Sequence, residues 1–326
     1  MNNLKNKIFA LAKDDLSDIE KALAENLHPN LEIISKAAEH ILFSGGKRLR
    51  PLLMVGTAKL CGKNGHYDIK YSTIFEYLHA ATLLHDDLID NASLRRGKTV
   101  AHKIFGNSTT ILVGDFLLAR ALSIAAETKQ PKVIQIIAKV TEEMAQGEIQ
   151  QLMTQSDLNI TEEKYMEVIR KKTSVLFEGA CQVSAIIVHA SEEEETAIAR
   201  YGFNIGIAFQ MADDLLDYTS DTQVLGKEVG ADLKEGKITL PVIYALNNAN
   251  AKDKKLMEDI ITSQSFTKHN FEILKEFIVK YKGIEYTQKL AEKYVDRAKK
   301  SIDIFKPSKY KDLFIYIADY TLARKQ

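Results

Sequence analysis

The chain has 326 residues, and its 44 acidic residues balance 44 lysines and arginines, so no excess of positive charge argues for nucleic acid or an anionic membrane surface. Its length permits one large domain or two ordinary ones around a substantial core. The two cysteines, Cys61 and Cys181, stand far apart in apolar stretches without CxxC or Cys/His spacing, and read as reduced core residues of a cytoplasmic protein.

At the N-terminus, "MNNLKNKIFALAKDDLSD" starts basic, but its apolar run "IFALA" is broken by Lys13, Asp14 and Asp15, so no signal peptide is expected. Only five prolines occur, and the long segments between them are rich in Ala, Leu, Ile, Glu and Lys, which predicts an all-α fold. "LEIISKAAEHILF" has helical spacing of apolar residues and leads into "SGGKRLRP", where two glycines precede Lys47, Arg48 and Arg50. A break near "GKNGHYD" separates this region from an apolar helix ending in "LLHDDLID", with "RRG" at 95–97 a short loop later. The stretch "ILVGDFLLARALSIAA" is strongly apolar, but it carries charges and falls short of the roughly 20 residues a membrane span needs. "VIQIIAKVTEEMAQGEIQQLM" continues the helical period, "SDLNIT" and "SEEEE" read as connections, and a second acidic cluster follows in "MADDLLDY". "SDTQVLGKEVGADLKEGKITLP" mixes Gly226, Gly230 and Gly236 with Lys227, Lys234 and Lys237 and reads as a mobile basic loop. After a connection at "NNANAKDK", "FEILKEFIVKYKGIEYTQKLAEKYV" returns to helix, and no break resembles an interdomain linker.

Residues four apart share a helix face, so Asp86 and Asp90 project together, as do Asp213 and Asp217. Mg²⁺ suits such paired carboxylates, because it prefers oxygen ligands, keeps several waters and takes one or two carboxylates together with substrate phosphate oxygens. Two solvated helix faces are the plainer reading of either cluster alone. Both clusters, however, are embedded in apolar sequence, where the carboxylates crowd one another unless a cation neutralises them. The cations of "SGGKRLRP" and "RRG" supply phosphate-binding chemistry, the Arg fork matching phosphate oxygens and Lys acting as a point charge. No strand precedes "GGK" and the GxxxxGK[ST] pattern is incomplete, which rules out a P-loop.

In this order, "GGKRLRP", "LLHDDLID" with "RRGK", "GDFLLARA", "KKTSVLFEGAC", "FQMADDLLDY" and "GKITLP" resemble the trans-polyprenyl diphosphate synthases, which extend an allylic diphosphate with isopentenyl diphosphate. The resemblance covers about residues 40–245. It implies a single all-α domain over residues 1–326, with helices around a deep central cavity and the two aspartate clusters facing each other across its mouth. It makes Asp86, Asp87 and Asp90 on one wall, and Asp213, Asp214 and Asp217 on the other, ligands of Mg²⁺, directly or through water, with three ions when substrate is bound. Lys47, Arg50, His79 and Arg96 would hold isopentenyl diphosphate. Arg95, Lys172, Lys227 and Lys237 would hold the allylic diphosphate. Spacing independently supports His79, two helical turns before Asp86 and so on its face. Metal, Lys and Arg would stabilise charge gathering on the leaving diphosphate. Gln210 and Thr173, with the ring of Phe209 or Tyr218, would face the allylic cation. The departing diphosphate would accept the final proton. The resemblance also implies a homodimer and transient membrane contact during product release.

Short-chain members of that family carry a bulky aromatic four or five residues before the first aspartate, where this chain has Thr82 and Ala81, and the bacterial ones insert two residues within the motif. Both features predict an open tunnel and a long-chain product. Each buried five-carbon unit contributes at most about 4 kcal/mol at about 0.8 kcal/mol per CH₂, so growth continues until a floor blocks it. Phe75, Leu78 and Ala81 with Thr82 on the motif helix, and Phe116, Leu118 and Leu122 in "DFLLARAL", are the chain-length candidates. Six to eight isoprene units from a farnesyl or geranylgeranyl primer, centred on octaprenyl, would suit a respiratory quinone. Three rival readings are a terpene cyclase, which needs no second diphosphate site, an HD-type phosphohydrolase, for which His66, His79, His102 and His189 give no convincing set, and a non-catalytic subunit, which would be expected to lose aspartates. A short-chain farnesyl or geranylgeranyl synthase is the alternative within the family.

Overall fold

The computed structural model describes residues 2–62, 69–219, 230–263 and 267–323. Helices α1 (Asn2–Glu25), α2 (Glu32–Leu42) and α3 (Leu49–Leu60) lead to α4 (Thr73–Ile89). A two-strand hairpin, β1 (Leu94–Arg95) and β2 (Lys98–Thr99), and the short α5 (Ala101–Phe105) connect α4 to α6 (Asn107–Glu127). Then follow α7 (Pro131–Met153), α8 (Glu162–Ile169), a π-helical turn (Arg170–Ser174), α9 (Val175–Ile187) and α10 (Glu192–Thr219). The remainder comprises α11 (Ala231–Lys234), α12 (Leu240–Asn248), α13 (Ala251–Ile261), α14 (Lys268–Lys280), α15 (Gly283–Ser301) and α16 (Lys309–Ala323). The expected all-α fold is present, with the hairpin the sole sheet among the described residues.

Local chemistry sets the helix ends. Pro131 opens α7, where its missing N–H is not needed. Thr161, Asn250 and Thr267 cap α8, α13 and α14 by accepting from backbone N–H groups. "SEEEE" is a helix start more than a connection: the Ser191 hydroxyl accepts from Glu194 N–H while the Glu194 carboxylate accepts from Ser191 N–H. That reciprocal pair is a capping box, and the following glutamates complement the positive end of α10. "NNANAKDK" likewise shrinks to Ala249 and Asn250 between two helices.

Two apolar clusters form the core. The first is built on α3, α4, α6, α7, α9 and the first half of α10, with Phe75, Tyr77, Phe177 and Tyr201 buried in it. The second lies around α12, α14 and α15 with Ile207, Met211 and Tyr218 of α10. Helix α10 thus runs through both, and Tyr294 and Leu322 pack against both. By length and composition α6 could cross a membrane, contrary to the sequence expectation. Here Val113, Gly114, Leu117, Ala121 and Ile124 face the core while Ile111, Leu112 and Leu122 are exposed.

Candidate active site

The first wall is the C-terminal end of α4 and the hairpin after it. Arg96 and Gly97 both have positive φ, +53° and +75°, between the paired residues Arg95 and Lys98. This is the two-residue type I′ geometry that hairpins favour. Gly97 adopts it freely, whereas Arg96 is an uncommon residue there, a strain of the kind that collects at functional sites. The hairpin turns Arg95 back onto α4: its Nε donates to both oxygens of Asp87 at 2.7 and 2.8 Å, and its Nη2 lies 2.6 Å from Oδ1. Asp87, expected among the metal ligands, is therefore buried and engaged in holding Arg95.

Asp86 and Asp90 instead stay partly exposed, with 17% and 16% of their side chains open to solvent. Asp86 Oδ2 lies 3.9 Å from Lys172 Nζ, and Asp90 Oδ2 accepts from Lys237 Nζ at 2.9 Å. Burial pushes the Asp86 carboxyl up to about 6; Lys172 opposes the rise, and the Glu148 and Asp90 carboxylates add to it. Lys172 belongs to the π-helical turn, which inserts an extra residue into a helical path and so re-aims its side chains. That turn is clamped by two glycines, since a Cβ on Gly147 of α7 would stand 2.8 Å from Lys172 N, and one on Gly206 of α10 2.5 Å from Ser174 Cα. Neither gap admits a side chain.

Helix α10 carries the second cluster. Asp213 is half-buried, but Asp214 and Asp217 are turned into the protein. Asp214 accepts from Tyr165 Oη at 2.5 Å and from Gln210 Nε2 at 2.8 Å, while Asp217 Oδ2 accepts from the Asp232 backbone N–H at 3.3 Å. Burial pushes the Asp214 carboxyl up to about 7, with the charge of Asp232 adding to it. Thr173 Oγ1 donates to Gln210 Oε1 at 2.7 Å, so Thr173, Gln210, Asp214 and Tyr165 form one hydrogen-bonded chain. Thr173 and Gln210, expected to act together, are thus joined directly. Phe209 packs against Phe177 with centroids 5.2 Å apart, whereas Tyr218 is fully buried in the second core cluster against Phe271 and bonded to Thr239. Tyr218 is therefore turned into the core, while Phe209 is half-buried.

Lys237 ties the segment after α11 to α4, binding Asp90 of α4 at 2.9 Å and Glu235 at 2.7 Å. Burial alone would lower its pKa, but the Asp90 and Glu235 charges outweigh burial and the net shift is upward. The described part of the expected basic loop is ordered by α11 and this pair, and the Gly236 carbonyl accepts from Ser156 N–H at 2.8 Å. Lys227 lies outside the described residues.

The basic cluster after α2 separates into two roles. Arg48 has φ +49° and points inward, bonded to Glu20, Glu76 and the Leu42 carbonyl, so it is structural rather than phosphate-binding. Lys47 Nζ sits 4.9 Å from the Tyr320 ring centre and the Arg50 guanidinium 4.5 Å from that of Phe177. Arg96 comes beside Gly46, whose Cβ would meet Arg96 Nη1 at 3.2 Å. Burial, together with repulsion from Arg50, Arg96, Arg95 and Arg48, holds the half-buried His79 imidazole well below its usual range. Arg50, Arg96 and Arg95 thus lie near one neutral imidazole, with Arg48 committed to its own carboxylates, a setting for a polyanion.

Among the described residues no three His, Cys, Asp or Glu side chains gather closely enough to hold a metal alone. The donor set fits Mg²⁺ nonetheless, because Mg²⁺ needs only one or two carboxylates when phosphate oxygens and water complete its shell. Asp86, Asp90 and Asp213 are the candidate donors, and the crowding that raises Asp86 is what a divalent cation would relieve.

Below Asp86 the same face of α4 carries Thr82, His79 and Phe75, with Leu78 and Ala81 buried beside them. Phe75, eleven residues or about 16 Å along the helix from Asp86, is fully buried against α7 and α9: a Cβ on Gly179 would be 2.9 Å from its ring and 2.8 Å from Val140 Cγ2. Phe116 and Leu118 pack against the same core. Leu122 is 37% exposed and is not a floor residue, because the face of α6 that carries it points outward. Sequence reasoning passed over Glu148, Tyr165, Phe177 and Glu235, which sit outside the acidic and basic clusters. For Glu148 the adjacent Gly147 in a long helix was a usable signal of close helix approach.

A family model described as polyprenyl synthetase matches residues 31–278. The chain is 37% identical to octaprenyl diphosphate synthase from Haemophilus influenzae, over 98% of this chain and 96% of that one. It is 33% identical to heptaprenyl diphosphate synthase component 2 from Bacillus subtilis, over 100% of this chain and 92% of its relative. A crystal structure of polyprenyl synthase from Caulobacter crescentus, complexed with calcium and isoprenyl diphosphate, superimposes with a TM-score of 0.93 at 36% identity, covering 99% of this chain and 98% of that one.

Proposed function

The chain belongs to the polyprenyl synthetase family, and on that premise we propose that it is a trans-prenyltransferase that condenses isopentenyl diphosphate with an allylic diphosphate, farnesyl or geranylgeranyl, to a long-chain product. What supports this reading is that Lys172, Lys237 and Arg95 lie on Asp86, Asp90 and Asp87, while the Thr173–Gln210 hydrogen bond ties the turn that carries Lys172 to the helix of the second aspartate cluster, and further guanidiniums surround His79. Two separate cationic groups suit two diphosphates, which a terpene cyclase does not require. The whole of residues 1–326 forms the synthase domain in this reading, supported by the near-complete cover of the relatives.

Asp86, Asp90 and Asp213 hold Mg²⁺ taken up with the allylic diphosphate, three ions in the full complex; when bound, the metal neutralises charge on the leaving diphosphate. Lys172 and Lys237 leave their carboxylate partners to reach the diphosphate oxygens, with Arg95 held in place by Asp87. Lys227 joins them from outside the described residues. Lys47, Arg50, Arg96 and His79 orient isopentenyl diphosphate. Thr173, having donated its proton to Gln210, presents oxygen lone pairs to the allylic cation, and the Phe209 ring adds a π face. Substrate itself closes the cleft to water, and the departing diphosphate takes the final proton.

The absence of a bulky side chain at Ala81 and Thr82 supports growth past them to Phe75, and the octaprenyl relative supports a central value of eight units within six to eight. A quinone side chain is the use such a product would have, in the cytoplasm and with brief membrane contact on release. Exposed Leu112, Ile149 and Met153 on α6 and α7 support a homodimer, and retention of all six aspartates supports a chain active without a second subunit. The test is incubation with Mg²⁺, isopentenyl diphosphate and farnesyl diphosphate, with Asp86→Ala alongside. Products of six to eight units, lost in the variant, are expected. Products of three or four units would overturn the long-chain assignment, and no condensation by folded protein would overturn the synthase reading.

A further inference from the structure

Glu148 belongs to neither aspartate cluster, yet its carboxylate reaches both the π-helical turn and the first wall. Its Oε2 lies 2.5 Å from Lys172 Nζ, and that same Nζ is 3.9 Å from Asp86 Oδ2. All three side chains are at least three-quarters buried, at 15%, 24% and 17% exposure for Glu148, Lys172 and Asp86, so solvent screens this triad weakly. Gln151 Nε2 donates to Glu148 Oε1 at 3.4 Å and steadies the carboxylate from within α7. The backbone fixes the pairing, because α7 meets the π-helical turn at Gly147 with no room for a Cβ, which sets the next residue, Glu148, opposite Lys172.

We propose that Glu148 is a positioning residue that keeps Lys172 off Asp86, leaving the Asp86 carboxylate open to a divalent cation while Lys172 stays poised for the diphosphate. The proposal deepens the synthase reading and rests on it. A lysine between two carboxylates settles on the nearer one. With the Glu148 charge removed by substitution, Asp86 is the remaining acid on Lys172 among the described residues, and an ammonium on Asp86 competes with metal for the same oxygens. Glu148 therefore acts through Lys172 and touches neither substrate in this scheme. The effect is expected on metal and allylic diphosphate and not on isopentenyl diphosphate.

The experiment compares the full chain with Glu148→Gln and Glu148→Asp. Calorimetric titration of Mg²⁺ in the presence of inorganic diphosphate gives a readout without turnover, and is paired with the Mg²⁺ dependence of rate, KM for each substrate, and the thermal midpoint. Glu148→Gln is expected to weaken Mg²⁺ binding about tenfold, the lower end of what an outer partner of a metal ligand contributes. The half-saturating Mg²⁺ concentration should rise in proportion, with KM for isopentenyl diphosphate changed less than about twofold on the same argument. Glu148→Asp, which keeps the charge on a shorter stem, should recover most of the loss and provides the test if the Gln variant does not fold. Unchanged Mg²⁺ affinity in Glu148→Gln, or a uniform fall in kcat with a lowered thermal midpoint that Asp does not recover, would overturn the proposal. Wild-type protein that neither binds Mg²⁺ with diphosphate nor forms product would overturn the synthase reading, and this proposal with it.

Discussion

Lys237 Nζ bridges Asp90 and Glu235, at 2.9 and 2.7 Å, and so ties the segment that follows the second aspartate cluster to the end of the helix that carries the first. The pair places a cation where the first wall would otherwise present a lone carboxylate. It also makes the segment around α11 dependent on the charge of Asp90.

Lys237→Ala should therefore have two separable effects. Without substrate, the backbone of residues 231–239 should exchange hydrogen faster, because the tie to α4 is gone. In turnover, loss of a charged donor to the leaving diphosphate should lower kcat by about 10²-fold. Hydrogen-exchange mass spectrometry and steady-state kinetics on the same preparation check both, and unchanged exchange would show that the pair does not restrain the segment.

Asp86 and Asp87 are neighbours in sequence but not in surroundings, Asp86 lying near Lys172 and Asp87 buried on Arg95. Asp87→Ala leaves Arg95 without its bidentate partner, at a cost of about 2 kcal/mol for a pair whose arginine is about one-third exposed. The variant should unfold at lower denaturant and show a raised KM for the allylic substrate, while its Mg²⁺ dependence stays near wild type. Asp86→Ala should do the reverse, keeping stability and losing the Mg²⁺ response. Matching Mg²⁺ defects in both would place Asp87 among the ligands after all.

Periodicity and composition made the all-α fold and the face shared by Asp86 and Asp90 legible, because helical spacing states directly which side chains project together. The same reasoning could not separate Arg48 from Lys47 and Arg50. That distinction depends on a left-handed backbone at Arg48 and on Glu20, 28 residues away in sequence, supplying its partner. Nor could it separate Asp214 from Asp213, since the difference comes from Tyr165 on another helix. "RRG" signalled phosphate chemistry, but the type I′ turn that aims Arg95 at Asp87 emerges only with the strand register. The outward face of Leu122 was equally hidden, because an apolar helix gives no contrast by which to choose the side that meets the core.

Phe75 and Ala81 should move product length in opposite directions. Phe75→Ala removes a fully buried ring beside Gly179, and should lengthen the product by one or more five-carbon units. Its stability should fall by about 3–5 kcal/mol, the usual range for a buried Phe truncated to Ala. Ala81→Phe sets an aromatic on the buried side of α4, five residues before Asp86, and should shorten the product. Mass spectrometry of the dephosphorylated prenyl alcohols decides, and a Phe75→Ala product of unchanged length would remove Phe75 from the floor.

His79 gives the protein a pH response whose sign follows from its surroundings. Burial and four nearby guanidiniums hold its pKa well below 6.5, so the folded chain binds fewer protons here than the unfolded chain does. Stability then falls as pH drops below about 6.5, because the unfolded state gains a proton that the folded state refuses, and the loss continues down to the folded-state pKa. His79→Gln should flatten that acid-side loss in denaturant titrations. A bound diphosphate reverses the field at this position, since its negative charge outweighs the repulsion that keeps the imidazole neutral. Isopentenyl diphosphate should accordingly raise the His79 pKa, and binding near pH 6 should take up protons from the buffer. Nuclear magnetic resonance of the His79 ring, with and without ligand, measures the shift, and calorimetry in buffers of different ionisation enthalpy measures the protons. An imidazole that titrates identically in both states would mean that the diphosphate does not bind beside it.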